Sequence, residues 1–196
     1  MSEVIKIVAI EGSMRPSNNT AKALAVVVDE LKKVDNIAVE VVDPREMRLL
    51  MPGQTGDSSE EILQKIVKDA TGVILSTPEY HGSYSSTIKL VIDNLGFPSM
   101  LAGKPVALLG VASGRIGAIK ALEHLRSVCS HVGALVLPGP ASVAEVHKVF
   151  NEQGQCTDPS VEKRLRGLAV TLVDYIHKHI CPRKALEDFV RERTDE

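Results

Sequence analysis

Val4-Ile5-Lys6-Ile7-Val8-Ala9-Ile10-Glu11-Gly12-Ser13-Met14-Arg15-Pro16-Ser17-Asn18-Asn19-Thr20 joins a β-branched run to a glycine, a polar loop and then a stretch rich in alanine and valine. Val4 to Ile10 is apolar at nearly every position, not at alternate ones, which is the pattern of a strand buried on both faces. Val39 to Val42, Val73-Ile74-Leu75, Val106-Ala107-Leu108-Leu109 and Leu135-Val136-Leu137 repeat it, giving an expected set of five strands. Helical periodicity fills the gaps. Ile116, Ile119, Leu122, Leu125, Val128, Cys129 and Val132 form one stripe over Ile116 to Val132, and Val161, Leu165, Leu168, Ala169, Leu172, Val173, Ile176 and Ile180 form another. Five strand–helix units predict an open parallel sheet with helices on both faces. In such a sheet ligands bind beyond the carboxyl ends of the strands, so chemistry belongs in the loops that follow them.

The 196 residues, 44% of them hydrophobic, suit one core and one domain. A formal net charge of -2 lacks the concentrated positive field that nucleic acids require. The first apolar run is too short and too charged for a signal peptide or a membrane span, so a cytoplasmic protein is expected. Cys129, Cys156 and Cys181 are odd in number and widely spaced, which suggests reduced thiols. His124, His131, His147, His177 and His179 match no metal-site spacing, and no metal is expected. Residues 43–58 and 138–158 read as long loops, and Pro182 as the stop of the last long helix. Ala185, Leu186, Phe189 and Val190 then suggest a short amphipathic extension. The expected division is a domain over residues 1–180 and a helical extension over 181–196.

The loop after the first strand has the chemistry of an anion site. Exposed amides at a helix start hold phosphate well, with Ser13, Ser17, Asn19 and Thr20 as further donors and Arg15 as a fixed positive charge. Ser17, Asn18 and Asn19 are also good helix caps, so residue types alone leave an ordinary capped turn open. Arg15 and the dense set of hydroxyls and amides tip the reading toward phosphate. The loop has neither the G-x-x-x-x-G-K-[ST] pattern of triphosphate sites nor the G-x-G-x-x-G of dinucleotide sites, which leaves a phosphate monoester.

Gly12, Ser13 and Arg15 stand where a G-S-x-R-x-x-S-x-N pattern requires them, and Pro78-Glu79-Tyr80-His81-Gly82-Ser83 matches a second motif, P-E-Y-H-G-S. With the loop Gly110-Val111-Ala112-Ser113-Gly114-Arg115, these stretches resemble the NADPH-dependent FMN reductase family of flavodoxin-like proteins, which includes quinone, azo-dye and chromate reductases. Departures are visible. The second serine of the first motif falls at Asn18, with Ser17 one place early, and Lys89-Leu90-Val91-Ile92-Asp93-Asn94 replaces a K-N-x-x-D-W pattern.

The resemblance implies a three-layer α/β/α flavodoxin-like fold with strand order 2-1-3-4-5. It places the FMN phosphate on Ser13, Arg15, Ser17, Asn18, Asn19 and Thr20, with Ser17 and Asn18 as competing donors. The flavin ring then lies against Pro78, Glu79, Tyr80 and His81, and near Ser113, Gly114 and Arg115. No side chain is assigned to catalysis, because the flavin carries the chemistry. NADPH, with NADH as the less favoured donor, would supply hydride to FMN, and a quinone, azo compound, metal oxyanion or free flavin would receive the electrons. A homodimer or homotetramer is expected on the same ground. The alternative is a flavodoxin-type electron carrier that binds FMN without oxidising NAD(P)H.

Overall fold

The computed structural model describes residues 4–194, so residues 1–3 and 195–196, the outer ends of the two expected segments, lie outside the described residues. In chain order the elements are β1 (Ile5–Ile10), α1 (Asn19–Leu31), β2 (Ile37–Val42), α2 (Glu60–Asp69), β3 (Gly72–Pro78) and α3 (Ser86–Asp93). There follow β4 (Pro105–Val111), α4 (Ile119–His131), β5 (Leu135–Val136), β6 (Ala141–Val143), α5 (Pro159–Tyr175) and α6 (Cys181–Thr194). The sheet is parallel, in the order β2-β1-β3-β4-β5, and β6 also pairs with β4.

Strand alternation sorts the core into two halves. Ile5, Ile7 and Ala9 of β1 and Ala107, Leu109 and Val111 of β4 face α1 and α5, whereas Val8, Ile10, Val106 and Leu108 face α2, α3 and α4. With helices on both faces, β3 and β4 are buried along their whole length, which is why their sequences are apolar without alternation. This doubly wound arrangement is the flavodoxin-like architecture expected from the sequence. Among the described residues no helix is long and apolar enough to cross a membrane.

Four details differ from the expectation. The fifth strand is split, because Pro138-Gly139-Pro140 cannot sustain a ladder. Leu135–Val136 pairs with the start of β4 and Ala141–Val143 with its end, so part of the expected loop 138–158 is strand. Helix α4 starts at Ile119, not Ile116, and Ile116 sits exposed in the preceding loop. The residue before the helix, Ala118, has its amide held by the Ser142 hydroxyl at 2.9 Å. Pro182 does not stop a helix. A widened π-turn over Ile176–Ile180, in which the Cys181 amide reaches back to the Ile176 carbonyl, interrupts the ordinary hydrogen-bond register just before Pro182, and α6 continues beyond it.

Candidate functional site

The phosphate-loop candidate leaves β1 beside β3 with almost no space between backbones. A Cβ on Gly12 would lie 2.0 Å from the Ser76 carbonyl oxygen and 2.5 Å from Ile88 Cγ1. The Gly12 carbonyl accepts the Ser85 hydroxyl at 2.6 Å, and that same hydroxyl accepts the Ile88 amide as the N-cap of α3. One serine therefore ties the first loop to the helix that follows the third strand.

Asn18 is the N-cap of α1 and is nearly buried. Its Oδ1 accepts the Ala21 amide at 2.8 Å, while its Nδ2 donates to Glu11 Oε1 and, at 2.8 Å, to the Arg15 carbonyl. Both Nδ2 hydrogens are spent inside the loop, whereas Ser17 is exposed, with a left-handed φ of 49°. The amides of Ser17, Asn19 and Thr20 reach no acceptor among the described residues. Unpaired amides at the positive end of a helix are suited to an anion.

A support absent from the sequence reading lies behind this loop. Glu11 is 5% exposed at the end of β1, and Arg45, from the loop after β2, approaches it at 3.5 Å while donating through Nη1 to the Arg15 carbonyl at 3.4 Å. Asp43 grips Arg45 through Nε at 2.9 Å, and this bond to the guanidinium holds the Asp43 carboxyl below its ordinary range. The signal was in the sequence: a carboxylate directly after an apolar strand needs a partner.

The second candidate loop is a tight turn. Tyr80 and Ser83 exchange backbone hydrogen bonds of 2.9 and 3.0 Å, with His81 (φ 50°) and Gly82 (φ 74°) at the tip, the signature of a type I′ turn. His81 is exposed there. The Glu79 carboxylate turns to α4, where Oε2 accepts the Ala121 amide at 3.0 Å. Tyr80 extends the other way, with the Arg15 guanidinium 5.3 Å from its ring centroid, a cation–π contact between the two loops. In the third loop Gly114 accepts the Gly117 and Glu145 amides, and Arg115 is exposed, 4.0 Å from Glu145.

A cleft of about 240 Å³ gathers Ser13, Arg15, Ser17, Asn18, Asn19, Thr20, Pro78, Glu79, Tyr80 and Ser113, together with Val146. His81, Gly114 and Arg115 lie outside its wall. A larger cleft of about 530 Å³, against β1 and β2, has no hydroxyl in its lining, and one of about 650 Å³, lined by Met14, Met47, Leu49 and Met51, includes Ser86, Thr87 and Lys89, but there the lysine is already paired with Asp93. The smaller cleft is the better anion site on chemistry, and its volume falls below that of pockets that enclose a whole ligand. It therefore suits the phosphate end of a larger molecule whose remainder stays open to solution.

A flavodoxin-like sheet with a cleft of unpaired amides and a cation beyond the carboxyl ends of its strands has the arrangement by which open α/β sheets bind mononucleotides. The NADPH-dependent FMN reductase family profile matches residues 5–148, and the chain belongs to that family of oxidoreductases. It is 31% identical over 183 residues to the FMN-dependent NADPH-azoreductase of Staphylococcus aureus (strain USA300), covering 88% of this chain and 96% of the relative. It is 26% identical over 185 residues to the quinone reductase of Escherichia coli (strain K12), covering 91% and 98%. Among solved structures, FerB, a flavoenzyme NAD(P)H:(acceptor) oxidoreductase from Paracoccus denitrificans, superposes with a TM-score of 0.75 at 26% identity, over 90% of this chain and 99% of that one.

Proposed function

We propose that the chain is an FMN-dependent NAD(P)H oxidoreductase that takes hydride from NADPH, and less readily from NADH, and reduces a quinone, azo compound, metal oxyanion or free flavin. The observation that carries this reading is the convergence of the loops after β1, β3 and β4 on one cleft, with free amides at the α1 start and Arg15 bridging to Tyr80. The residues fit FMN. Ser13, Ser17, Thr20 and the amides of Ser17, Asn19 and Thr20 would hold the phosphate, Arg15 would balance its charge, and Tyr80 and Ser113 would border the ring. Bound FMN would supply the two-electron chemistry, and the protein's own part is binding, orientation and an open face that donor and acceptor occupy in turn. Names borne by the relatives support the donor and acceptor classes.

The same reading includes assembly into a homodimer or homotetramer in the cytoplasm. The methionine-lined cleft beside Met14 and the fully exposed Phe97 are apolar surfaces that assembly would cover. Sedimentation at micromolar concentration tests it, and a monomer at that concentration contradicts it.

The deciding experiment is a visible spectrum of the FMN-reconstituted protein, followed anaerobically on adding NADPH and then NADH. Bleaching is expected with NADPH. Persistent yellow colour with both donors identifies the carrier alternative, and no retained flavin overturns the cofactor assignment. A finer test separates phosphate from ring. Arg15→Gln is expected to weaken FMN by about tenfold or more, the usual loss when a charged hydrogen bond is removed. Riboflavin, which lacks the phosphate, should bind the variant and the parent alike, and an equal loss for both ligands by fluorescence titration would remove Arg15 from the phosphate.

A further inference from the structure

Three contacts lie along one face of α4 against the turn that carries His81 and Gly82. The Glu79 carboxylate accepts the Ala121 amide at 3.0 Å, and His124 Nδ1 meets the Ser83 hydroxyl at 3.1 Å. Between them the stem of Lys120 passes so close that a Cβ on Gly82 would sit 3.4 Å from Lys120 Cδ. Positions 120, 121 and 124 are neighbours on a helix surface, so the segment from Glu79 to Ser83 is laid along α4 and fastened at both ends.

The fastening matters because of what the turn holds. His81 keeps a left-handed backbone that a residue with a Cβ adopts reluctantly, so the turn needs its surroundings to retain that shape. The backbone amides of Glu79, Tyr80 and Ser83 are spent on Val111, Ser83 and Tyr80 respectively, whereas those of His81 and Gly82 reach no acceptor among the described residues. The tip lies just outside the cleft wall, directly after Tyr80, which lines it, and two fixed N–H donors beside a reaction site would stabilise developing negative charge without a proton donor, provided they do not have to reorganise.

We propose that His124 is a positioning residue, which through the Ser83 hydroxyl fixes the His81–Gly82 turn and its two free amides against α4. The role rests on the reading of the cleft as an FMN site. It adds a residue some 40 positions downstream of the motif, on an element that the motif does not include. A hydroxyl–imidazole pair also suggests a nucleophile with its base. That chemistry requires a third group to orient the imidazole, and no carboxylate bonds to His124 among the described residues.

The test compares His124→Leu, His124→Asn, Ser83→Ala and the double variant His124→Leu/Ser83→Ala. In the flavin-free protein, hydrogen exchange of the Tyr80 and Ser83 amides, whose mutual bonds close the turn, is expected to rise about tenfold in His124→Leu, with exchange in the core of α4 and the thermal midpoint unchanged. In the FMN-loaded protein, the limiting rate of flavin bleaching by NADPH should fall about tenfold, as small misplacements of fixed groups do, with FMN affinity and the NADPH half-saturation within about twofold. Asparagine can present a polar atom near the position of Nδ1, and His124→Asn should recover most of both effects. Ser83→Ala should reproduce His124→Leu, and the double variant should be no worse than either single one. Unchanged exchange at Tyr80 and Ser83 in His124→Leu overturns the proposal, as do losses that add in the double variant. If the parent protein takes up no FMN or is not bleached by NADPH, the functional reading fails, while the exchange measurement still decides the role of His124 in the turn.

Discussion

Gly12→Ala is expected to abolish FMN uptake and to lower the free energy of unfolding by about 3 kcal/mol, the upper end of the usual cost of forcing a group into a packed site. The added methyl would lie 2.0 Å from the Ser76 carbonyl oxygen, which belongs to β3 in the middle of the sheet, and 2.5 Å from Ile88 Cγ1. Neither neighbour is the free end of a flexible side chain, so the loop itself must lift. Lifting it strains the bond from the Ser85 hydroxyl to the Gly12 carbonyl and disturbs the N-cap of α3 as well as the phosphate loop. Against a typical total stability of 5–15 kcal/mol the fold survives, and the site does not. Urea unfolding and FMN titration measure the two effects. Gly114→Ala is the matched control. A methyl there meets nothing within 4 Å, so stability should change by less than about 0.5 kcal/mol. FMN binding by Gly12→Ala with near-parental affinity would show that the close approach of the two loops is not what shapes the site.

The sheet was legible in the sequence because burial on both faces forces apolar residues onto consecutive positions, and Val4 to Ile10 or Val106 to Leu109 resemble little else. Pairings and contacts made at a distance were less legible. Ala141-Ser142-Val143 is too short to announce a strand after Pro138-Gly139-Pro140, and only its ladder with Leu109 to Val111 makes it one. Ile116 keeps the helical period of α4 yet falls outside the helix, because periodicity cannot tell a helix from the turn that precedes it. The rule for proline in a regular helix makes Pro182 a stop, whereas the widened turn at Ile176–Ile180 changes the register in which it sits.

At the site, motif position found the loops but not the use of each side chain. Pro78, Glu79, Tyr80 and Ser113 all line the cleft, yet the Glu79 carboxylate is committed to the amide of Ala121. Ser17 and Asn18 were indistinguishable as donors because both carry the right atoms. The structure separates them by burial: Asn18 turns inward to Glu11 and Ser17 stays at the surface. Glu11 and Arg45 meet only because β1 and β2 are adjacent parallel strands in register, a pairing that no local pattern records.

Asn18→Asp turns that inward contact into a test of the loop's electrostatics. The substitution keeps an oxygen for the Ala21 amide, so the cap survives and the negative charge suits the start of α1. It also replaces Nδ2, which donates to Glu11 and to the Arg15 carbonyl, by an oxygen that cannot donate when ionised. Two carboxylates at hydrogen-bond distance cannot both ionise cheaply, so the pair should titrate as a unit with one proton held above the ordinary carboxylate range. A folded-state pKa raised above its unfolded value contributes stability that is present at low pH and lost as pH rises through the folded value. Relative to the parent, the variant is therefore expected to be little affected near pH 4 and destabilised by roughly 1–2 kcal/mol near pH 8, the scale of a lost buried hydrogen bond to a charged group, because Arg45, 3.5 Å from Glu11, offsets part of the repulsion. Asn18→Ala, which loses the cap without adding a charge, should cost about 1 kcal/mol with a weaker dependence on pH. FMN affinity should follow the charge, falling further at pH 8 in the aspartate variant than in the alanine one, because a new anion then sits beside the amides that receive phosphate. Urea unfolding at both pH values decides it. Equal penalties for Asn18→Asp at pH 4 and pH 8 would mean that Asn18 and Glu11 are not in contact in solution, and the inward anchor of the phosphate loop would have to lie elsewhere.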